Sequence, residues 1–269
     1  MTHSGLPGRA RLDEELVRRG LAETRSRARA LILAGDVLIN GTRAERAGSL
    51  VSDRDTVTMS VKPRYVSRGG EKLAHALATF HLDVEGRAAA DLGASTGGFT
   101  DCLLQAGAAR VYAVEVGYGQ LHDRIRRDER VVVLERTNAR TLDQLPEKVG
   151  IVVIDVSFIS LRLVLPTAAR LLLPGGVCVP LIKPQFEAGK GEVGRGGVVR
   201  DSSVHRRVLQ EVVEVAERVG FGVEGLVASP LLGPAGNREF LALLRAGASS
   251  GSVNTLIDGV VPVGEGTEQ

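Results

Sequence analysis

Four charged residues lie beside apolar runs that are predicted to be strands: Lys72, Asp155, Lys183 and Glu239. Asp155 falls near the end of one run and Lys183 directly after the next, so both are expected at the carboxyl edge of a sheet, where open α/β folds place ligands. Charges beside buried strands are costly unless they are paired. Ordinary ion pairs that cap strand ends would explain any one of them. All four in one cleft could instead neutralise one another, two lysines against two carboxylates.

A glycine-rich stretch offers a second candidate site. Residues 91–100 read DLGASTGGFT between a short apolar run and a helical pattern, which predicts a strand, a turn and a helix. Glycine permits positive φ and a close ligand, and a helix start offers unpaired N–H groups, although a tight structural turn has the same pattern. Glu115 lies 24 residues after Asp91, at the end of the next predicted strand. A carboxylate there suits the hydroxyls of a ribose, or is an ordinary loop residue.

The elements that must position these residues alternate between strand and helix from residue 88 to residue 244. Such alternation is typical of a doubly wound α/β fold with a parallel sheet. Residues 151–156 are almost wholly apolar, as in a strand that is buried on both faces. The last two predicted strands are joined through residues 230–238, and a hairpin there would place an antiparallel strand in the sheet.

The first 60 residues predict a separate small α+β module. The spacing of apolar residues indicates two helices, with Thr24 placed to cap the second and Gly35 to end it. Asn40-Gly41 then predicts a β-hairpin, because both residues tolerate positive φ. Residues 61–66 are expected to connect this module to the next.

Positive charge is concentrated in this first module. Residues 1–66 contain 12 Lys and Arg against 8 Asp and Glu, a balance of +4, whereas the whole chain carries +2, so the remainder carries −2. Five arginines lie between residues 18 and 29, with Glu23 as their one local counter-charge. Guanidinium groups match phosphates in geometry, which favours a polyanionic partner. A solvated helical face is the alternative.

The first module resembles the S4 type of RNA-binding domain. The matching segments are RLD at 11–13, LVR at 16–18, TRSRAR at 24–29 and GDVLING at 35–41. The resemblance covers residues 9–60 and implies docking onto structured RNA. The arginines that it places at the RNA are Arg11, Arg18, Arg25, Arg27 and Arg29.

The second module resembles the FtsJ-like ribose 2′-O-methyltransferases, and the two modules together resemble the TlyA family. The motifs that carry the likeness are SRGGEKL at 67–73, DLGASTGGFT at 91–100, DVSFISL at 155–161 and KPQFE at 183–187. The family signature is a Lys-Asp-Lys-Glu tetrad on a Rossmann-like fold. It falls here on Lys72, Asp155, Lys183 and Glu239.

The resemblance implies S-adenosylmethionine as the cofactor and the ribose of cytidine in 16S or 23S ribosomal RNA, or in both, as the substrate. Lys183 would accept the 2′-hydroxyl proton or stabilise the alkoxide, and Asp155 would orient Lys183. Glu239 would hold Lys72 or the ribose. Thr96 stands where many members have proline. The residues implied for the cofactor are Asp91, Gly93, Ser95, Thr96, Gly97, Gly98, Phe99, Glu115 and Asn138.

The patterns predict a doubly wound α/β domain at residues 67–246 and a small α+β domain at 9–60. The resemblance implies that the first of these is a Rossmann-like methyltransferase domain and the second an S4-type domain. Residues 1–8 are expected to be a flexible tail and residues 247–269 a weakly ordered one, since neither shows a helical stripe. The N-terminus lacks the apolar segment of a signal peptide, and the apolar run at 171–182 is too short to cross a bilayer.

Cys102 and Cys178 fit neither a metal site nor a disulfide framework. This cysteine usage fits a reducing cytoplasm, and we expect neither a metal nor a membrane to be involved. The family resemblance implies ribosomal RNA within ribosomal subunits as the partner. A non-catalytic RNA-binding assembly factor and a haemolysin that acts on membranes stay open as alternatives. The oligomeric state is also open.

Overall fold

The computed structural model describes residues 9–59, 63–189 and 191–261, and the chain divides into two units between Pro63 and Arg64. The predicted tail at 1–8, and residues 61 and 62 of the predicted connector, lie outside the described residues.

The described part of the first unit, residues 9–59 and 63, contains two helices and two small sheets. Its elements are β1 (Ala10–Arg11), α1 (Leu12–Arg18), α2 (Arg25–Ala34), β2 (Val37–Ile39), β3 (Thr42–Arg43), β4 (Leu50–Val51) and β5 (Val57–Met59). β1 pairs with β4, and the other sheet has the order β3-β2-β5. As predicted, Thr24 Oγ1 accepts a hydrogen bond from the Arg27 N–H, and Gly35 ends α2 with a φ of 77°. Asn40 and Gly41 turn the β2–β3 hairpin with φ of 51° and 80°.

The second unit is a seven-stranded sheet with helices on both faces. Its strands are β6 (Ala88–Leu92), β7 (Arg110–Val114), β8 (Val131–Leu134), β9 (Val149–Ile154), β10 (Leu172–Ile182), β11 (Phe221–Ala228) and β12 (Phe240–Ala246). Its helices are α3 (Gly69–Thr79), α4 (Gly98–Gln105), α5 (Asp123–Arg126), α6 (Leu165–Leu171), α7 (Pro184–Glu187), α8 (Ser202–Arg218) and α9 (Val253–Val260). A single 3₁₀ turn, Leu161–Leu163, precedes α6.

The strand order is β11-β12-β10-β9-β6-β7-β8. The five strands from β10 to β8 pair in parallel, whereas β12 runs antiparallel to both β10 and β11. The prediction of an antiparallel strand after residues 230–238 is thus confirmed. It enters the sheet between β10 and β11 rather than at its edge.

Alternation along the central strands explains why both faces of the sheet are covered. In β9, Ile151 and Val153 pack in the apolar core on the α3 and α4 side, whereas Val152 and Ile154 pack in the core on the α6 and α8 side. All four are fully buried. This is the pattern that parallel sheets produce, since crossover helices cover both faces.

Two predicted boundaries are wrong. Residues 64–66, expected in the connector, belong to the second unit: the Tyr65 ring is 3% exposed and fills the space beside the Gly70 α-carbon, and the Val66 N–H donates to Asp101 Oδ2 at 2.8 Å. The expected tail contains α9, whose Ile257 packs in the sheet core and is 2% exposed. Burial of the apolar side of α9 outweighs the low intrinsic helix propensity of its residues. Residues 262–269 lie outside the described part.

Among the described residues, no helix combines the length and the apolar character that a membrane span requires.

Candidate functional site

All four residues of the predicted tetrad line one cavity of about 680 Å³ at the carboxyl edge of the parallel strands. Asp155 follows β9 and Lys183 follows β10, its parallel neighbour. Glu239 directly precedes β12, and because β12 is antiparallel, its amino end lies at the same edge. Lys72 lies in the first turns of α3. The sheet order therefore brings Lys72 and Glu239 together across 167 positions of sequence.

The loop that follows β9 orients Lys183. Its Nζ donates to Val156 O and to Ser157 Oγ, each at 3.0 Å, and lies 2.7 Å from Asp155 Oδ1. The Asp155 contact is an ion pair rather than a well-aligned hydrogen bond, since Oδ1 accepts no hydrogen bond within the described residues. Lys183 is 9% exposed, so these oxygens replace most of the water that a lysine amine would otherwise bind.

Lys72 and Glu239 form the second pair of the cavity. Lys72 Nζ donates to Glu239 Oε2, and the two residues are 8% and 1% exposed. Glu239 Oε1 is buried and accepts no hydrogen bond within the described residues. A buried carboxylate oxygen without a donor is costly, so the cavity offers an acceptor for a ligand hydroxyl or amine.

The glycine-rich loop forms the wall between this cavity and a neighbouring one of about 440 Å³. Gly93 and Ser95 line both cavities. A Cβ at Gly93 would lie 2.8 Å from Asp155 O, and its φ is 89°. Only glycine therefore lets the loop pass this close to the strand end. The remaining predicted loop residues that line the larger cavity are Thr96, Gly98 and Phe99.

Glu115 and Asn138 line the smaller cavity. The Glu115 carboxylate accepts the Ser95 N–H at 2.9 Å and the Gly117 N–H at 2.7 Å, which fixes it at the end of β7. Each carboxylate oxygen retains a lone pair, so Glu115 can still accept from two ribose hydroxyls. Asn138 Oδ1 accepts the Arg140 N–H at 3.0 Å, which orients the amide, and its N–H₂ group forms no hydrogen bond within the described residues.

Asp91 and Gly97, both predicted to bind the cofactor, line neither cavity. Asp91 is fully buried under the loop, where Oδ2 accepts the Thr100 hydroxyl at 2.7 Å. Gly97 has a φ of 93°, and a Cβ there would lie 2.9 Å from Leu121 Cδ1. Both residues shape the loop from behind, because the chain turns away from the cavity at these two positions.

We expect Asp91 to make stability depend on pH. Burial raises the pKa of Asp91 to about 7, against the opposing hydrogen bond from Thr100. Between the ordinary Asp value and pH 7, the folded chain therefore binds a proton that the unfolded chain lacks. The free energy of unfolding should fall as the pH rises through this range, by up to a few kcal/mol from this group.

Asp91→Asn should remove that part of the pH dependence, because the amide stays neutral and still accepts from Thr100. Urea unfolding at pH 5 and pH 8 measures the change, with Asp143→Asn at an exposed position as the matched control. An equal pH slope in the Asp91→Asn variant and the parent chain would contradict this account.

Several residues of the cavity were not singled out from the sequence. Gln185 Oε1 is buried without a hydrogen-bond donor among the described residues. Asn237, 1% exposed, accepts from the Val199 N–H at 2.9 Å and donates to Gly197 O at 2.8 Å, and so ties the glycine-rich segment around residues 194–199 to the cavity wall. Phe158 is 90% exposed at the rim of both cavities. An exposed aromatic gives no periodic signal, so only its position in DVSFISL could have drawn attention to it.

The arginines predicted to face RNA lie in the first unit, where three of them converge on one carboxylate. Asp13 has no exposed side-chain surface; Arg11 Nε and Arg29 Nε each lie 3.0 Å from it, and an Arg25 nitrogen lies 3.4 Å away. The hydrogen bond from Arg11, followed by those from Arg29 and Arg25, holds the pKa of Asp13 well below its usual range. About half of each arginine side chain stays exposed.

Arg18 and Arg27 differ from these three. Arg18 donates to Glu15 at 2.6 Å and lies 2.7 Å from Asp53 Oδ1. Arg27 is exposed and forms no ion pair within the part of the chain that the structure describes. Glu23 is the one acidic residue between positions 18 and 29, but in the fold Asp13 and Glu14 of α1 also pair with arginines of α2.

Comparison with known proteins identifies the family of each of the two units. The FtsJ-like methyltransferase family model matches residues 65–246, and the S4 domain model matches residues 10–57. The 16S/23S rRNA (cytidine-2′-O)-methyltransferase TlyA of Mycobacterium tuberculosis is 51% identical over 243 residues, which are 88% of this chain and 90% of that protein. Hemolysin A of Brachyspira hyodysenteriae is 41% identical over 238 residues, 86% of this chain and 98% of that protein.

A solved structure from Streptococcus thermophilus, named for a hemolysin, is 45% identical with a TM-score of 0.73, and the match covers 95% of each chain. Sequence and fold thus agree along nearly the whole length, beyond the motifs alone. The chain belongs to the TlyA family, in which an S4 domain precedes an FtsJ-like methyltransferase domain.

Proposed function

We propose that this chain transfers a methyl group from S-adenosylmethionine to the 2′-hydroxyl of cytidine in 16S and 23S ribosomal RNA. The observation that carries the proposal is the single cavity in which two lysine–carboxylate pairs adjoin the glycine-rich loop. The name of the M. tuberculosis relative supplies the nucleoside and the RNA. A ribosomal substrate implies that the protein works in the cytoplasm, with ribosomal subunits as its partners.

The residues at the loop fit S-adenosylmethionine. Glu115 faces the smaller cavity as a ribose acceptor, and Gly93 lets the loop pass close to the backbone at the end of β9. Gly93, Ser95, Thr96, Gly98 and Phe99 would hold the cofactor, with Glu115 and Asn138 at its nucleoside. Bound there, the cofactor supplies an electrophilic methyl group on a sulfonium.

Lys183 is the residue placed to act on the substrate hydroxyl. A ribose 2′-hydroxyl is a weak nucleophile at neutral pH and must lose its proton as it attacks. A neutral Lys183 amine would accept that proton, and a charged one would stabilise the oxygen that remains. In either form Asp155, Val156 and Ser157 direct Nζ, so little reorganisation is needed during the reaction.

Glu239, Lys72 and Phe158 would position the nucleotide. Glu239 Oε1 can accept a hydrogen bond from the ribose while Oε2 stays paired with Lys72. Phe158 presents its ring to solvent at the rim of the cavity. Nucleotides that leave a stack are commonly held on aromatic side chains, and the exposed ring suits the base of the target cytidine.

Methylation mapping tests the proposed function. Ribosomal RNA from cells with and without this protein is compared for 2′-O-methyl groups, and purified subunits from the deficient cells are then incubated with the protein and S-adenosylmethionine. We expect a cytidine in each of the two RNAs to lose the modification in the deficient cells and to regain it in vitro. Subunit binding without any methylation would support the assembly factor instead. Leakage of lipid vesicles without RNA methylation would support the haemolysin.

The arginines of the first unit provide a separate prediction. Changing Arg25, Arg27 and Arg29 together to alanine should weaken RNA binding and lower its salt dependence by roughly one unit of slope per lost phosphate contact. Because Arg27 lacks an ion pair among the described residues, Arg27→Ala alone should remove a contact without disturbing Asp13. Filter binding across a salt series measures both effects. Arg110→Ala, in the other unit, is the charge-matched control for Arg27→Ala, and a triple variant with an unchanged slope would refute the assignment.

A further inference from the structure

Two chain segments leave the carboxyl ends of neighbouring strands and together build one side of the proposed site. The 155–161 loop follows β9, and the 183–187 turn, which includes α7, follows β10. Asp155 and Lys183 are the first residue of each. The relative position of the two segments therefore sets the geometry of the Asp155–Lys183 pair.

The two segments touch at three levels. At the sheet edge, Lys183 Nζ contacts the oxygens of Asp155, Val156 and Ser157. Further out, the rings of Phe158 and Phe186 lie with centroids 5.0 Å apart and planes tilted by 48°. At the far end, the Glu187 carboxylate accepts two hydrogen bonds from the other segment.

Glu187 makes the polar link that does not involve Lys183. Its Oε2 accepts the Ser160 hydroxyl at 2.6 Å, and its Oε1 accepts the Leu161 N–H at 2.8 Å. Among the described residues no cation forms an ion pair with it. Burial raises the pKa of Glu187, against the opposing hydrogen bonds from Ser160 and Leu161 and the weaker effect of the Arg162 charge. A half-buried carboxylate is costly without donors, and here the donors all come from the loop that carries Asp155.

The 155–161 loop contains a residue with an unfavourable backbone conformation, which the contacts of Glu187 help to maintain. Phe158 adopts a φ of 63°, which is unfavourable for an aromatic residue and persists only where the surrounding structure enforces it. Its side chain is 90% exposed, so packing contributes little. Leu161, by contrast, is 1% exposed. Glu187 binds the loop at the point where it enters the core, and so fixes the far end of the strained segment.

We propose that Glu187 is a positioning residue for the methyl transfer, which holds the 155–161 loop against the 183–187 turn so that Lys183 and Phe158 keep their places. The effect of Glu187 on methyl transfer rests on the proposed function, whereas its effect on the order of the 155–161 loop does not. Without Glu187, the hydrogen bonds of the reacting lysine would be the remaining polar connection between the two segments in the described structure.

Fluorescence gives a test that is independent of activity. The chain has no tryptophan, so Phe158→Trp introduces a single reporter at the exposed position. In that background we compare Glu187→Ala, Glu187→Gln and the control Glu224→Ala, a surface residue that pairs with Arg245 on the far strands. Glutamine can accept the Leu161 N–H and donate to the Ser160 oxygen, which is able to act as an acceptor. Of the three changes, only Glu187→Ala should lower the fluorescence anisotropy of the tryptophan at position 158.

Kinetics of the same Glu187 and Glu224 changes with Phe158 intact test the catalytic part. Glu187→Ala should lower kcat on ribosomal subunits by about tenfold or more, since small displacements of reacting groups have effects of that size. The KM for S-adenosylmethionine should stay within about twofold, because Glu187 is absent from the lining of both cofactor cavities. Glu187→Gln should recover most of the lost rate.

Specific results would overturn the proposal. The first is a Glu187→Ala variant with unchanged anisotropy and unchanged kcat. The second is a Glu187→Gln variant as impaired as the alanine variant. The third is that both variants lose cofactor binding and also lose their cooperative melting transition, which would mean that Glu187 is needed for the fold as a whole. If the parent chain itself transfers no methyl group, the proposed function fails, whereas the anisotropy comparison still decides whether Glu187 orders the loop.

Discussion

Lys183→Ala should reduce the rate of methyl transfer by about 10²–10⁴-fold, the usual contribution of a positioned acid or base. The change removes the one amine that the 155–157 oxygens direct into the cavity. Cofactor binding should persist, because the glycine-rich loop and Glu115 are untouched. Single-turnover transfer of radiolabelled methyl groups to ribosomal subunits measures the rate, and calorimetry measures cofactor binding.

Two further lysine variants sharpen this result. Lys148→Ala, at an exposed position remote from both cavities, should retain full activity. Lys183→Arg keeps the positive charge but cannot lose it near neutral pH, so residual activity there would favour charge stabilisation over proton acceptance. A Lys183→Ala enzyme with parental turnover would remove Lys183 from the reaction.

Glu239→Ala should both inactivate the protein and destabilise it by about 3–5 kcal/mol, the usual effect of breaking a buried ion pair. Lys72 is 8% exposed and donates to Glu239, so the substitution leaves a buried ammonium without its partner. Urea unfolding gives the change in free energy, and the single-turnover assay gives the rate.

The double variant Lys72→Met, Glu239→Leu separates stability from activity. Replacing both charges by apolar groups of similar volume often restores the free energy of unfolding, so we expect a value within about 2 kcal/mol of the parent chain. Methyl transfer should stay absent, because neither the amine nor the free carboxylate oxygen is present. A double variant as unstable as Glu239→Ala would show that Lys72 is not what makes the single change costly.

The strand-end charges were the most predictable part of the site. Asp155 and Lys183 interrupt apolar runs, and the rule that parallel strands present their carboxyl ends at one edge was enough to expect them together. Glu239 required in addition the hairpin at residues 230–238, which turns β12 around. The helix cap at Thr24, the helix end at Gly35 and the hairpin turn at Asn40-Gly41 were equally predictable. Capping and positive φ are local properties of a few residues.

The features that could not be predicted from the sequence depend on packing between segments that are distant along the chain. Asp13 and Arg29 are on different helices, so a local count of charges assigned the arginines no partner in α1. Asp91 belongs to a cofactor motif, yet the turn of the chain directs it beneath the loop. α9 has few strong helix formers, and its order comes from the burial of Ile257 against the sheet.

The insertion of β12 between β10 and β11 has a consequence for synthesis. The last strand among the described residues occupies an interior position of the sheet, and Glu239 immediately precedes it. A nascent or prematurely terminated chain that lacks β12 would have its RNA-binding unit and its parallel strands, but also an open strand edge and a Lys72 without Glu239. Such an edge is prone to aggregation. With the roles proposed for Lys72 and Glu239, we expect a chain that ends before β12 to transfer no methyl group.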